Sequence, residues 1–77
     1  MDSTATAPVL SPRQKECLSW ASMGKTSQQI SQLLGVTPRT VHLHLENCRR
    51  KLGAENTTHA VAKAIRLGLI ALEGPTE

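Results

Sequence analysis

The stretch from Thr37 to Gly53 carries the signals of a helix at both of its ends. Thr37 is a favourable N-cap, because its side-chain oxygen accepts a backbone N–H that the first turn leaves unpaired. Pro38 suits the first helical position, and Gly53 suits the left-handed conformation that often follows a last turn. We therefore predict one helix from Pro38 to Leu52, and the rest of the chain must fold around it.

This helix has an apolar side and a polar side. At ~100° per residue, four apolar residues fall within one narrow arc that must pack on the protein: Val41, Leu45, Cys48 and Leu52. The opposite side is polar and net basic, and consists of Arg39, Leu43, Glu46 and Arg50, with His42 and Asn47 on its flanks. Because a purely solvated face would not need Leu43, this side has the properties of a DNA-binding surface.

The composition favours a small all-α domain. A chain of 77 residues leaves room for one domain, and it contains one Trp and no Phe or Tyr. The core must therefore come from Leu, Ile, Val and Ala, which favours compact helices over a sheet sandwich. The net charge of +3 is compatible with a polyanionic partner but does not require one.

Features that would place the chain outside the cytoplasm are missing from its sequence. Cys17 and Cys48 lie on predicted inward helix faces without a framework of further cysteines, so we expect reduced core thiols. No apolar run approaches the ~18 residues of a membrane span, and the chain does not start as a signal peptide does. We expect a soluble, cytoplasmic protein with no membrane partner.

Three further helices are predicted around the first. We interpret residues 1–9 as a disordered arm or linker remnant, 10–72 as the domain, and 73–77 as a loose tail. Capping boxes at Ser11 and Thr26 predict a helix that ends at Met23–Gly24 and another from about Ser27 to Leu34. The buried stripe predicted for the second comprises Ile30, Leu33 and Leu34. Its short link to the long helix predicts a helix-turn-helix unit.

The last predicted helix runs from Thr57 or Thr58 to Leu67, and its apolar arc is wider than one small domain needs. We expect part of this arc to pack on the long helix and part to contact a second copy of the chain, through Val61, Ala62 and Ile65. The alternative is a helix that packs only within its own chain. The apolar segment 69–72 is expected to pack back on the body.

Catalysis and metal binding have little support. The residues with suitable chemistry are His42, His44, Cys48, Cys17 and His59. His42 and His44 lie ~200° apart on one helix, and the pair His44 and Cys48 supplies too few ligands for structural zinc. A Cys–His nucleophile would need an orienting third group and a pocket. We expect no enzyme, no metal and no cofactor. Glu16 is either a solvated charge or the partner of a cation on the long helix.

The DNA hypothesis assigns a role to each exposed residue. Side chains in the N-terminal half of a helix in the major groove reach deepest, here His42, Leu43 and Glu46. They can donate to guanine, contact a thymine methyl group and accept from cytosine N4, respectively. Phosphates would be bound by polar residues at the start of the second helix and along the long helix: Thr26, Ser27, Gln28, Arg39, Thr40, Asn47, Arg49, Arg50 and Lys51. Asn47 could serve either role, as a base contact or a phosphate contact.

From about Leu10 to Ile70 the chain resembles the LuxR-type helix-turn-helix domain. The matching motifs are Leu10–Arg13 with Glu16, Gly24–Ser27 with Ile30, Leu34–Val41, His44–Asn47 and Arg50–Ala54. Trp20–Ala21 and Gly68–Ile70 are most similar to the quorum-sensing branch that responds to acyl-homoserine lactones. The chain would then be either an excised DNA-binding domain or a stand-alone short regulator, with no lactone site of its own.

The resemblance implies a compact four-helix domain that dimerises through its fourth helix and binds an inverted repeat in a promoter. The base-contacting positions of the family match His42, Leu43 and Glu46. Two hypotheses follow: a sequence-specific DNA-binding transcription regulator, and a protein-interaction module or antagonist that docks on RNA polymerase or pairs through the fourth helix without DNA. Retardation of random duplex DNA at low salt would separate them.

Overall fold

The computed structural model describes residues 9–71. Over this range the chain forms four α-helices and no strand: α1 (Pro12–Ser22), α2 (Ser27–Leu34), α3 (Pro38–Leu52) and α4 (Thr57–Arg66). The predicted all-α class with four helices is therefore confirmed. The predicted arm and the predicted tail lie outside the described residues, apart from Val9, and so does residue 72, the last of the predicted domain.

Capping boxes begin the first two helices, as predicted. The Ser11 hydroxyl accepts the N–H of Gln14 at 3.2 Å, and the Gln14 side chain accepts the N–H of Ser11 at 2.9 Å. In the second box, the Thr26 hydroxyl accepts the N–H of Gln29 at 3.1 Å, and the Gln29 side chain accepts the N–H of Thr26 at 2.9 Å. Each box pairs two backbone donors that the first turn would otherwise leave without partners.

A single side chain caps each of the other two helices. The Thr37 hydroxyl accepts the N–H of Thr40 at 3.2 Å, and Pro38 takes the first position of α3. The N-cap of α4 is Asn56, whose side-chain oxygen accepts the N–H of His59 at 2.8 Å. The sequence pattern had located the start of α4 to within a residue without identifying this cap.

The link between α2 and α3 is the predicted helix-turn-helix connection. Gly35 ends α2 in the left-handed region, with φ +70°, where a side chain would cause strain. The Val36 N–H then bonds to the Ser31 carbonyl at 3.0 Å, which closes the turn. Thr37 follows at once as the cap of α3, so only three residues separate the helices.

The centre of the fold is α3, which packs against each of the other three helices. The four residues of its predicted inward arc are all buried, with at most 8% of their surface exposed. The rest of the core comes from the other helices and the segments beside them: Leu10, Cys17, Leu18, Ile30, Ala54, Ala60, Ala64 and Ile70. Both cysteines are free and buried. The orientation predicted for α3 is confirmed.

Leu33 corrects the prediction for α2. It was expected in the buried stripe, but 52% of its surface is exposed, and Ser31 is buried instead. At ~100° per residue Leu33 and Ser31 flank Ile30 on opposite sides, and the core lies on the side of Ser31. The serine tolerates burial because its hydroxyl donates to the Gln28 carbonyl at 2.7 Å.

Two smaller differences concern α1 and α4. The interpretation of Glu16 as partner of an α3 cation is wrong, because its half-exposed carboxylate accepts from Arg13 on its own helix at 3.2 Å. The last helix ends at Arg66, one residue earlier than predicted, and Leu67 is half exposed. Ile70 packs back on the core as expected. None of the helices α1 to α4 has both the length and the hydropathy of a membrane span.

Candidate nucleic-acid interface

The three residues predicted to contact bases lie together on the outer side of α3. His42 and Leu43 are exposed. Leu43 has 55% of its surface in solvent, whereas Val41 and Leu45, two residues before and after it, are buried. Glu46 follows one turn after His42, with 43% of its side chain exposed. The amphipathic division of α3 is confirmed, and the base contacts of these residues stay a prediction.

The arginines of α3 differ in the exposure of their side chains and in the hydrogen bonds that these make within the domain. Arg39 is exposed in the first turn, and Arg50 has 72% of its side chain in solvent. Arg50 makes one contact, from Nε to Oε2 of Glu46 at 3.3 Å. Arg49 is only 31% exposed and is bound inside the domain. Arg39 and Arg50 are therefore the arginines of α3 best able to reach a phosphate.

Arg49 connects Glu46 to the turn that follows α3. Its Nε donates to Glu46 Oε1 at 3.1 Å, and its Nη2 donates to Oε2 of the same carboxylate. Its Nη1 donates to the carbonyl of Ala54 at 3.1 Å. Side-by-side pairing of a guanidinium with a carboxylate fixes the geometry of both groups.

These contacts keep Glu46 ionised. The hydrogen bond from Arg49 is the largest cause that lowers the pKa of Glu46 to about 2, and the charges of Arg49 and Arg50 lower this pKa further, while partial desolvation opposes them. The same pairing raises the pKa of Arg49. An ionised carboxylate only accepts hydrogen bonds, so Glu46 presents a pure acceptor at neutral pH.

Lys51 joins the end of α3 to the start of α1. Its Nζ donates to the Val9 carbonyl at 2.9 Å and to Gln14 Oε1 at 3.0 Å. Nearby, the Cys48 thiol donates to the Gln14 carbonyl at 3.5 Å. Since a lysine ammonium has three donors, these bonds leave one for any other partner. No sequence pattern indicates this contact, because the partners of Lys51 lie more than thirty residues away.

The start of α2 borders the polar face of α3. A cleft of about 530 Å³ separates the two, and its walls include Lys25, Ser27, His42, Glu46 and Arg49. Thr26 and Gln28 are exposed at the same helix end. Backbone N–H groups of a first turn attract anions, so this end can bind a phosphate. Lys25 was absent from the predicted site, although its position one residue before the cap could have indicated it.

The predicted dimer contacts lie on one side of α4. Val61, Ala62 and Ile65 are partly exposed, whereas Ala60 and Ala64 are buried against the domain. The helix thus packs Ala60 and Ala64 into the core and leaves Val61, Ala62 and Ile65 at the edge. This arrangement is compatible with a second copy at this side, which remains a prediction.

The histidines and cysteines considered for metal binding or catalysis lie in separate parts of the structure or in its core. Among residues 9–71, no three His, Cys, Asp or Glu side chains are placed to share a metal ion. His59 Nδ1 instead accepts the N–H of Glu55 at 3.1 Å. Burial raises the pKa of Cys17, and raises that of Cys48 to about 11. Both cysteines are protonated at neutral pH, as inert core thiols are.

Comparison with known proteins agrees with this fold. Residues 8–64 match the family model GerE, which describes bacterial regulatory proteins of the luxR family. The chain is 56% identical over 63 residues to the quorum sensing-dependent transcriptional regulator RpaR of Rhodopseudomonas palustris. It is 44% identical over 71 residues to the transcriptional activator ExpR of Dickeya dadantii. These matches cover 82% and 92% of the chain but only 26% and 28% of the relatives, about a quarter of their length.

Solved structures support the same assignment. The transcription factor GerE superposes with a TM-score of 0.79 at 28% identity, covering 82% of this chain and 94% of GerE. VqmA of Vibrio cholera, in a complex with a ligand and DNA, superposes with a TM-score of 0.74 at 28% identity over 88% of this chain and 30% of VqmA. The relatives and the family are regulators of transcription and not enzymes. The resemblance is confirmed: the chain belongs to the luxR family of bacterial regulatory proteins, and its four helices are a helix-turn-helix domain of that family.

Proposed function

We propose that this chain is the DNA-binding domain of a transcription regulator and that α3 lies in the major groove of a promoter inverted repeat. The observation that carries the proposal is the outer side of α3, which holds His42, Leu43 and Glu46 away from the core beside the start of α2. The major groove is wide enough to admit a helix. Membership of a family of bacterial regulatory proteins supports the same function, and so does the superposition on VqmA, which was solved with DNA.

Three side chains would read base edges. Glu46 would accept from the amino group of cytosine, and its ionised state suits this role. His42 would donate to guanine, and Leu43 would contact a thymine methyl group. All three sit within two turns of one helix, so they would address neighbouring base pairs in one half-site.

Other residues would hold the domain on the sugar–phosphate backbone. The exposed donors best suited to this are Arg39 and Arg50 on α3 and the start of α2. The same role is proposed for Thr26, Ser27, Gln28, Thr40 and Asn47, and we add Lys25. Arg49 and Lys51, predicted for phosphate from the sequence, already use most of their donors within the domain.

An inverted repeat calls for two copies of the domain. We propose that they meet through Val61, Ala62 and Ile65, which α4 leaves partly exposed. Two recognition helices related by a twofold axis would then enter successive major grooves, with half-site centres ~10 bp apart. Because the face comprises only these three partly exposed residues, we expect DNA to be needed to assemble the pair.

Selection from a random pool of duplex DNA tests the function. The wild-type domain should select an inverted repeat, and its affinity should fall steeply with salt concentration. Arg50→Ala should weaken binding to all sequences alike and lower the salt slope by about 1. Glu46→Ala should relax the preference at one base pair of each half-site while the others are kept.

Two results would contradict this proposal. If no duplex is retarded even at low salt, the protein-interaction alternative, with RNA polymerase among its partners, is favoured instead. If Glu46→Ala selects the same sequence as wild type, its direct contact with a base is wrong even though the domain binds DNA.

A further inference from the structure

We propose that Arg49 is a positioning residue for base recognition, which holds the Glu46 carboxylate in one orientation against the turn after α3, and is not itself a DNA contact. This inference rests on the proposed function, because it requires that Glu46 contacts a base. It assigns a role in specificity to a residue whose position on a basic helix would otherwise suggest a phosphate contact.

The first support is the way in which Arg49 is anchored. Its guanidinium donates from Nη1 to the Ala54 carbonyl at 3.1 Å, and Ala54 is itself buried, with 4% of its surface exposed. The Ala54 N–H donates back to the Arg49 carbonyl at 2.9 Å. The side chain of Arg49 thus spans from a fixed point of the core to Glu46, while its neighbour Arg50 extends into solvent.

The second support comes from counting acceptor sites on the Glu46 carboxylate. A carboxylate offers about four lone-pair sites. Three are used: Oε1 accepts Arg49 Nε, and Oε2 accepts Arg49 Nη2 and Arg50 Nε. The remaining site, on Oε1, can take one N–H of a cytosine amino group without displacing Arg49. Arg50 is free to move to a phosphate, because its single bond to Glu46 is long and exposed.

The third support is electrostatic. A carboxylate that approaches DNA is repelled by the phosphates, so its charge must be offset nearby. Arg49 offsets it through the paired hydrogen bonds that hold the carboxylate on one side of the helix. Without Arg49, Glu46 would regain its rotamers and could accept from amino groups of other bases. Arg49 therefore contributes to discrimination between bases more than to affinity.

A positioning residue and a phosphate contact differ in what their loss changes. Loss of a phosphate contact weakens binding to all sequences alike and lowers the slope of affinity against salt concentration by about 1. Loss of a positioning residue broadens the preference at the base pair that Glu46 contacts and leaves the slope unchanged. Arg49→Lys separates the two, because lysine keeps the charge that binds phosphate but cannot pair side by side with a carboxylate.

The experiment measures binding to the selected inverted repeat and to duplexes that differ from it at single base pairs, over a salt series. The variants are Arg49→Lys and Arg49→Gln, with Arg50→Lys and Arg50→Gln as matched controls one residue along. Both Arg49 variants should lose discrimination by about fivefold or more at the base pair that Glu46→Ala relaxes, with an unchanged salt slope. Arg50→Gln should weaken all duplexes and lower the slope.

A double variant completes the cycle. Glu46→Ala with Arg49→Gln should discriminate no less than Glu46→Ala alone, because Arg49 acts only through Glu46. In the free protein, Arg49→Gln should raise the titration midpoint of the Glu46 carboxyl in NMR spectra, a result that needs no DNA. Thermal unfolding shows whether each variant folds. If Arg49→Gln does not fold, the binding measurements on Arg49→Lys decide between the two roles.

Three outcomes decide the matter. If the Arg49 variants keep the base preference of wild type and weaken all duplexes with a lower salt slope, Arg49 is a phosphate contact and the inference is overturned. If Glu46→Ala relaxes the preference but neither Arg49 variant does, the inference fails and the proposed function stands. If Glu46→Ala changes nothing, the base contact fails, and the positioning role fails with it.

Discussion

Glu46 shows how neighbours on one helix set the chemistry of a single residue. Two arginines within the next turn donate to its carboxylate, and its pKa falls to about 2. The spacing of three and four residues that allows this is visible in the sequence. The third bond of Arg49, to the Ala54 carbonyl, is not, because it depends on how the chain turns after α3.

The lowered pKa of Glu46 predicts a pH dependence of stability. A depressed pKa means that the folded state binds the proton less well than the unfolded state, so the stabilisation is present above about pH 4.5 and is lost as the pH falls toward about 2. The difference in urea midpoint between wild type and Glu46→Gln should therefore shrink between pH 5 and pH 3. A difference that stays constant over this range would show that the ion pairs of Glu46 with Arg49 and Arg50 do not contribute to stability.

The two cysteines should be unreactive in the folded domain. Both are completely buried, and burial raises the pKa of Cys48 to about 11, which leaves about a hundredfold less thiolate at pH 8 than an ordinary thiol has. Reaction with a thiol reagent that releases a chromophore should be slow in buffer and immediate in denaturant. Rapid reaction of one cysteine in buffer would mean that the packing of α1 on α3 is wrong.

On the scale of elements, α3 was predicted well because its signals are local. Its cap, its first proline, its inward arc and its terminal glycine all act within one or two turns. The prediction that Leu33 of α2 is buried was wrong. In a helix of eight residues, packing against the neighbouring helices decides which of two adjacent arcs is buried. The role of Lys51 also escaped prediction, since its partners Val9 and Gln14 belong to a distant part of the chain.

The N-cap of α3 should contribute measurably to stability. Thr37→Ala removes the side-chain oxygen that accepts the Thr40 N–H and should lower the free energy of unfolding by about 1 kcal/mol. Thr37→Ser keeps that oxygen and serves as the control, with most of the stability retained. Urea titration followed by circular dichroism measures both. Equal loss in the two variants would show that the hydroxyl does not carry the effect.

The C-terminal end of α3 makes an independent prediction. Gly53 has φ +62°, and a Cβ there would meet open space except for Lys63 Nζ at 3.9 Å. Gly53→Ala should therefore destabilise the domain by about 1–2 kcal/mol through backbone strain alone. Gly53→Asn should cost less, because asparagine tolerates the left-handed region better. If alanine is as stable as glycine here, the turn into α4 differs from the one described.

On the scale of the whole molecule, two surfaces carry the contacts proposed with DNA and with a second copy of the chain. One side of α3 and the start of α2 face outward together, and α4 leaves a separate partly apolar side. The charge pattern of the sequence predicted the surface on α3 and α2, because the helical period determines which residues share an exposed face. Which side of α4 is buried could be settled only by the packing of Ala60 and Ala64.

The proposed pairing of two domains predicts a selective effect. Ile65→Glu places a charge in the partly exposed side of α4 and should weaken binding to the full inverted repeat at least tenfold, with binding to one half-site unchanged. Leu67→Gln, at a half-exposed position on another side of the same chain segment, is the control and should bind as wild type does. The control is neutral because Leu67 lines the same pocket as Arg50, where a carboxylate would weaken a phosphate contact. Equal loss on half-site and full site would contradict a dimer through Ile65.

We propose that the outer side of α3 is the surface that contacts DNA. Titration of the isotope-labelled domain with its selected duplex, followed by amide chemical shifts in NMR spectra, tests it residue by residue. We predict the largest changes from Arg39 to Arg50 and at Thr26–Gln28, with small changes at the buried positions of α1. Changes confined to α1 and the middle of α4, with α3 unaffected, would contradict the account.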